Sequence, residues 1–140
     1  MARKVYRLTA DWPDDERYGL IAQVRRASVS ISANLAEGVG RNTPREIVRF
    51  SRIAMGSLYE TDSLFEIATA HDDIAEVPAQ LRDAVVSLAR RLERFIDYHE
   101  RIAIRARETC DDELYVAEGH NHEPSTINHQ RIAAGDPKEF

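Results

Sequence analysis

Between Gly56 and Gly119 the chain carries no glycine, and Pro78 is the only proline in that stretch. A helix interior loses about 1 kcal/mol for a glycine and about 3 kcal/mol for a proline relative to alanine. So long a run without either residue, on each side of Pro78, predicts long helices. The part beyond Pro78 is the more regular. Leu81, Val85, Leu88, Leu92, Phe95, His99, Ile102 and Ala106 recur in steps of four and three. That is the seam of a helix packed nearly antiparallel in a bundle, expected from near Pro78 to about Glu108.

Three further helices complete the pattern. The first runs from Ala2 to about Ala10, with Val5 and Leu8 on one side, and stops before Trp12-Pro13. The second is expected from about Asp14 to Val39, with Leu20, Val24, Ala27, Ile31 and Leu35 on one face and Gly38 and Gly40 as its stop. The third opens at Thr43-Pro44-Arg45-Glu46, a threonine cap followed by proline at the first helical position, and continues to about Ala70. Ser28-Val29-Ser30-Ile31-Ser32 alternates like a strand, but the longer helical period around it predicts helix. Short connections between these segments predict an all-α, up-and-down four-helix bundle with a short first helix.

Charge divides the chain. Residues 2–110 hold 17 basic and 17 acidic side chains, whereas residues 111–140 hold 2 and 7, so the formal net charge of −5 lies in the tail. This predicts a bundle domain over 1–110 and an acidic, mostly disordered tail over 111–140. No apolar run approaches the roughly 18 residues of a membrane span, and Met1–Ala10 lacks a hydrophobic leader. The single thiol, Cys110, forms no internal disulfide, which agrees with a reducing compartment and a cytoplasmic location.

The second and third helices are apolar on two faces. Opposite the main stripe of the second lie Ala22, Val29, Ala33 and Ala36. On the third, Val48, Met55 and Tyr59 form a separate face beside Ile47, Ala54, Leu58 and Phe65. A helix apolar on two sides needs cover on both, which the short first helix is too small to supply. These seven residues are therefore expected at an oligomer interface. The plainer alternative is cover by the first helix and loops.

Arginines mark the opposite faces. Arg45, Arg49 and Arg52 fall within a roughly 60° arc of the third helix, extended by Arg41 just before its cap. Arg90, Arg94, Arg101 and Arg105 share a similar arc on the fourth, about 60° wide and far from its seam. Guanidinium forks match phosphate oxygens in pairs, so these eight residues are the candidate nucleic-acid-binding set. A solvated face is the alternative, with Asp97 spaced to pair with Arg101.

Enzyme and metal readings have less behind them. Arg94 and His99 spell R-x-x-x-x-H, which resembles the ribonuclease motif of HEPN-type helical domains and leaves a metal-independent ribonuclease as an alternative. The five-residue step, however, sets the two side chains about 140° apart on a helix, and His99 sits on the apolar seam. None of the five histidines has a glutamate three residues before it, as a di-iron bundle requires. His120, His122 and His129 in the tail could take up metal adventitiously. No metal site and no cofactor is expected.

One resemblance covers roughly residues 5–75. It is carried by Glu16-Arg17-Tyr18-Gly19-Leu20, Gln23, Arg25-Arg26-Ala27, Asn34-Leu35-Ala36-Glu37-Gly38, Arg41, Phe50, Ile53-Ala54-Met55-Gly56-Ser57 and Glu60. In order and spacing these residues resemble a bacterial family labelled four helix bundle protein, also named for reading frames in intervening sequences of large-subunit ribosomal RNA genes. The resemblance implies an up-and-down bundle assembled as a homopentameric barrel, with no catalytic activity. It also implies kinship with the accessory variability determinant of diversity-generating retroelements, which binds a reverse transcriptase and nucleic acid through a basic surface. In that light the extra apolar stripes become subunit contacts, and Gly56 permits close approach.

The chain departs from the family's pattern in places. Against that pattern the first helix looks truncated, as from a misassigned start at Met1 or an incomplete bundle; Ser32 stands where proline is frequent, His71-Asp72-Asp73 replaces a common Gly-Tyr, and the acidic tail is an addition. The expected function is a non-catalytic oligomeric scaffold or accessory protein for nucleic acid, for a nucleic-acid enzyme such as a reverse transcriptase, or for both. A purely structural protein–protein interaction module is the other alternative to the ribonuclease.

Overall fold

The computed structural model describes residues 1–70, 74 and 76–117; of 110–117 only the helical backbone is described. The tail histidines and His71-Asp72-Asp73 lie outside the described residues. Four α-helices follow one another: α1 (Ala2–Leu8), α2 (Leu20–Gly40), α3 (Pro44–Thr69) and α4 (Ala79–Ala117), with a 3-10 turn at Asp14–Glu16. Among the described residues there is no strand. Met1–Arg107 forms one compact unit and Glu108–Phe140 a second, whose described part is the end of α4. The helix thus runs seven residues into the segment that charge assigned to an irregular tail.

The start of α2 differs from the expected one. Pro13 opens a 3-10 turn, and the helix begins only at Leu20, whose N–H donates to Glu16 Oε2 at 2.8 Å. A Cβ on Gly19 would stand 2.6 Å from that same oxygen, so the glycine makes room for the carboxylate that caps the helix. The stop differs as well. Gly38 and Gly40 lie inside α2, and the chain turns at Asn42, which takes the left-handed conformation with φ 55°, one that asparagine tolerates.

Thr43 then caps α3 as its sequence predicts, its side chain accepting from Glu46 N–H at 3.3 Å with Pro44 next in line. Helices α2 and α3 form an antiparallel hairpin. Ser30 Oγ meets Ser57 Oγ at 2.8 Å, and Asn34 Nδ2 donates to Ser30 Oγ at 2.9 Å. Further along, a Cβ on Gly38 would lie 2.8 Å from Phe50 Cβ and 3.4 Å from Ile47 Cα. Gly38 therefore allows a close approach between the two helices and is not a helix stop. The serines of the alternating segment are helical, with Ser28 and Ser32 bonding back to the carbonyls of Arg25 and Val29.

Helix α4 runs antiparallel to α3. Arg82 pairs with Glu66 and donates to Thr69 Oγ1 at 2.6 Å near one end, while Arg52 pairs with Glu100 near the other. Its seam buries Leu81, Val85 and Leu92 as expected, then passes to Ile96, leaving Phe95 half-buried and Ala106 exposed. A straight helix drifts by about 20° per heptad against a strict 3.5-residue repeat, which accounts for the hand-over. Phe65, Leu58, Val24 and Val5 are fully buried at the centre. Each leucine- or phenylalanine-sized side chain removed from water contributes about 1.5–3 kcal/mol.

Candidate nucleic-acid interface

The eight candidate arginines are all exposed, but they differ in what surrounds them. Arg41 places Nη2 2.6 Å and Nε 3.2 Å from Glu37 Oε1. That hydrogen bond, and then the charge of the same carboxylate, raises the Arg41 pKa above its ordinary value. Arg49 Nη1 lies 3.5 Å from Glu46 Oε2. The guanidinium groups of Arg41 and Arg49 also lie over the Phe50 ring, 5.5 and 5.4 Å from its centroid. Arg52 is held by Glu100 of α4. Three of the four arginines around the start of α3 are therefore already neutralised by carboxylates.

The outer face of α4 is different. Among the described residues no ion pair holds Arg90, Arg94 or Arg101, and Arg45 on α3 is likewise unpaired. The Asp97–Arg101 pair that the spacing allows does not form. Asp97 instead lines a groove of about 440 Å³ with Glu93, Glu100, Arg52, Met55, Gly56, Tyr59 and Ile96. Glu93, Asp97 and Glu100 thus gather on the flank of α4 toward α3. Arg90, Arg94, Arg101 and Arg105 occupy an adjoining arc that points away from the core. Sequence patterning did not reveal Tyr98, an exposed ring on the Arg94 and Arg101 side of the helix; its position four residues after Arg94 and three before Arg101 was the available signal.

Arg94 and His99 are not brought together. Arg94 stands on the solvent arc, while His99 is half-buried in the seam, its ring centroid 4.5 Å from Phe95 and 5.1 Å from Tyr98, both edge-to-face. Its Nδ1 is buried without a hydrogen-bond partner among the described residues.

The expected oligomer residues split between two environments. Met55 is buried within the chain and lines the same groove as Ile96 of α4, and Val48 packs against the core. Within the chain Met55 is thus covered beside Ile96 of α4, and Val48 is partly covered by the core. Tyr59 remains about half exposed. On α2 the stripe stays open, with Val29, Ala33 and Ala36 exposed and Ala22 half-buried. No helix among the described residues is long and apolar enough to cross a membrane.

Residues 1–94 match the family model described as 23S rRNA-intervening sequence protein. The match takes in Arg90 and Arg94, whereas Arg101 and Arg105 lie beyond it. No curated protein matches the chain.

Proposed function

The chain belongs to the 23S rRNA-intervening sequence protein family, and from that premise we propose that it is a non-catalytic, oligomeric scaffold that binds nucleic acid along α4. The observation that carries this reading is the contrast between paired and unpaired arginines. Arg41, Arg49 and Arg52 are held by carboxylates, while Arg90, Arg94 and Arg101 face solvent with their charge unspent. Unpaired guanidiniums on one helix face bind phosphates and release the counterions around them, and several copies in an assembly sum their potential. The assembly we propose is a homopentamer, with the open stripe Val29, Ala33 and Ala36 of α2 as part of the contact between copies. A nucleic-acid enzyme, such as a reverse transcriptase, is the partner that such a scaffold would serve.

The test is size-exclusion chromatography with light scattering at low salt, with absorbance followed at 260 and 280 nm. A pentameric mass with excess absorbance at 260 nm is expected. A pentamer that never retains nucleic acid would turn the reading into a protein–protein scaffold, and a monomer would remove the assembly.

A further inference from the structure

On α4, Tyr98 is 61% exposed and stands between Arg94 and Arg101. On an ideal helix its side chain lies within about 60° of both, roughly 6 Å along the axis from the first and 4.5 Å from the second. Its neighbour His99 meets it edge-on at 5.1 Å with an interplanar angle of 83°, and His99 is fixed in turn against Phe95. Arg94 and Arg101 carry no ion pair among the described residues, so along the helix axis an exposed aromatic face sits between two unspent positive charges. On the other side of the arc, Glu93 and Asp97 line the groove toward α3, and their negative charge disfavours a phosphate chain there.

We propose that Tyr98 is a stacking platform for an unpaired base, which makes the ligand of the α4 arginine face single-stranded nucleic acid rather than duplex. In a duplex the base faces are already stacked on one another, and only phosphates and groove edges reach a protein surface. A single strand offers both things this strip can hold, phosphates for Arg94 and Arg101 and an open base face for Tyr98. Base–aromatic stacking tolerates any sequence, since every base has a π-face. The proposal rests on the nucleic-acid reading above and adds the form of the ligand to it.

The experiment is fluorescence anisotropy with the full chain and an oligonucleotide of about ten residues, in RNA and DNA versions, each single-stranded and as a duplex. Tyr98→Ala should weaken single-strand binding by between about fivefold and a hundredfold and leave duplex binding unchanged. Tyr98→Phe, which keeps the ring, should bind like the parent. Arg94→Ala and Arg101→Ala serve as controls for the charged face. Should Tyr98→Ala bind single strands as the parent does while the arginine variants bind more weakly, the platform is overturned and the basic face stands. A parent protein that prefers duplex also overturns the platform. A parent that binds no oligonucleotide at low salt overturns the nucleic-acid reading itself.

Discussion

Arg25 of α2 holds Thr9 at the end of α1 with two hydrogen bonds, from Nε to Thr9 Oγ1 at 2.7 Å and from Nη2 to the Thr9 carbonyl at 3.1 Å. Thr9 is 1% exposed, and the same guanidinium lies 4.9 Å from the centroid of Tyr6. One side chain therefore satisfies a buried hydroxyl, takes up a carbonyl just past the last turn of α1 and covers an aromatic ring. A helix of seven residues has little stability of its own, so this clamp is a large part of what keeps it in place.

Arg25→Ala should lower the unfolding free energy by about 1.5–3 kcal/mol, the range for hydrogen bonds to charged groups. Urea unfolding followed by circular dichroism measures it. Arg25→Lys should recover only part of the loss, because an ammonium cannot reproduce the two-nitrogen geometry. An unchanged midpoint for Arg25→Ala would show that α1 is held by its apolar contacts alone.

The two mid-helix glycines should respond to alanine with opposite signs. Gly38→Ala drives a Cβ into Phe50 and should destabilise by about 1–3 kcal/mol, the usual cost of overpacking. At Gly56 a Cβ meets nothing within 4 Å, so Gly56→Ala should stabilise the chain by up to about 1 kcal/mol through helix propensity. Thermal melts of the two variants side by side decide it. A loss of stability at Gly56 that grows with protein concentration would place that glycine against another copy.

Thr43→Ala removes the side-chain acceptor at the start of α3 and should cost about 1 kcal/mol, with Thr43→Ser near the parent value. The cap is exposed and local, so chemical denaturation should show a shifted midpoint with an unchanged slope.

Salt dependence separates the two arginine groups. Removing one arginine that neutralises a phosphate of a single strand should make the slope of log K against log salt shallower by about 0.7. Arg94→Ala and Arg101→Ala are each expected to do so, while Arg41→Ala and Arg49→Ala leave the slope unchanged, since Glu37 and Glu46 already hold those charges. Equal effects in both groups would mean that the carboxylates release their partners when nucleic acid arrives.

Ala33→Glu places a charge in the open stripe of α2. The isolated chain should fold as before, since the position is exposed, but a carboxylate trapped between subunits loses its hydration without a partner. Light scattering should then report a smaller assembly. A mass identical to the parent's would remove this stripe from the contact.

What could be read from the sequence was mostly local. The start of α3 depends on Thr43-Pro44-Arg45-Glu46, four consecutive residues, and is correctly predicted. The α4 seam holds through Leu92 and fails only where helical drift accumulates. The start of α2 was misplaced because Glu16 caps it across Gly19, a relation that periodicity does not report. Gly38 looked like a helix stop because its reason for being glycine, Phe50, comes from the opposing helix. Likewise the Arg52–Glu100 pair and the burial of Met55 require knowing that α4 returns along α3. Residue spacing locates Arg52 on an arc but says nothing of Glu100, the carboxylate that tertiary packing brings alongside it.

The tight turn at Asn42 also has a consequence in time. It joins two helices whose main interface is with each other, so α2 and α3 need only close a short loop to begin packing, which is fast and low in contact order. The 39 residues of α4 follow from the ribosome over about 2–8 s at ordinary synthesis rates. For that interval the hairpin is a nascent folding unit whose Met55 still lacks Ile96 of α4 beside it. The order of synthesis thus brings the helix that bears the arginine strip onto a hairpin already able to pack.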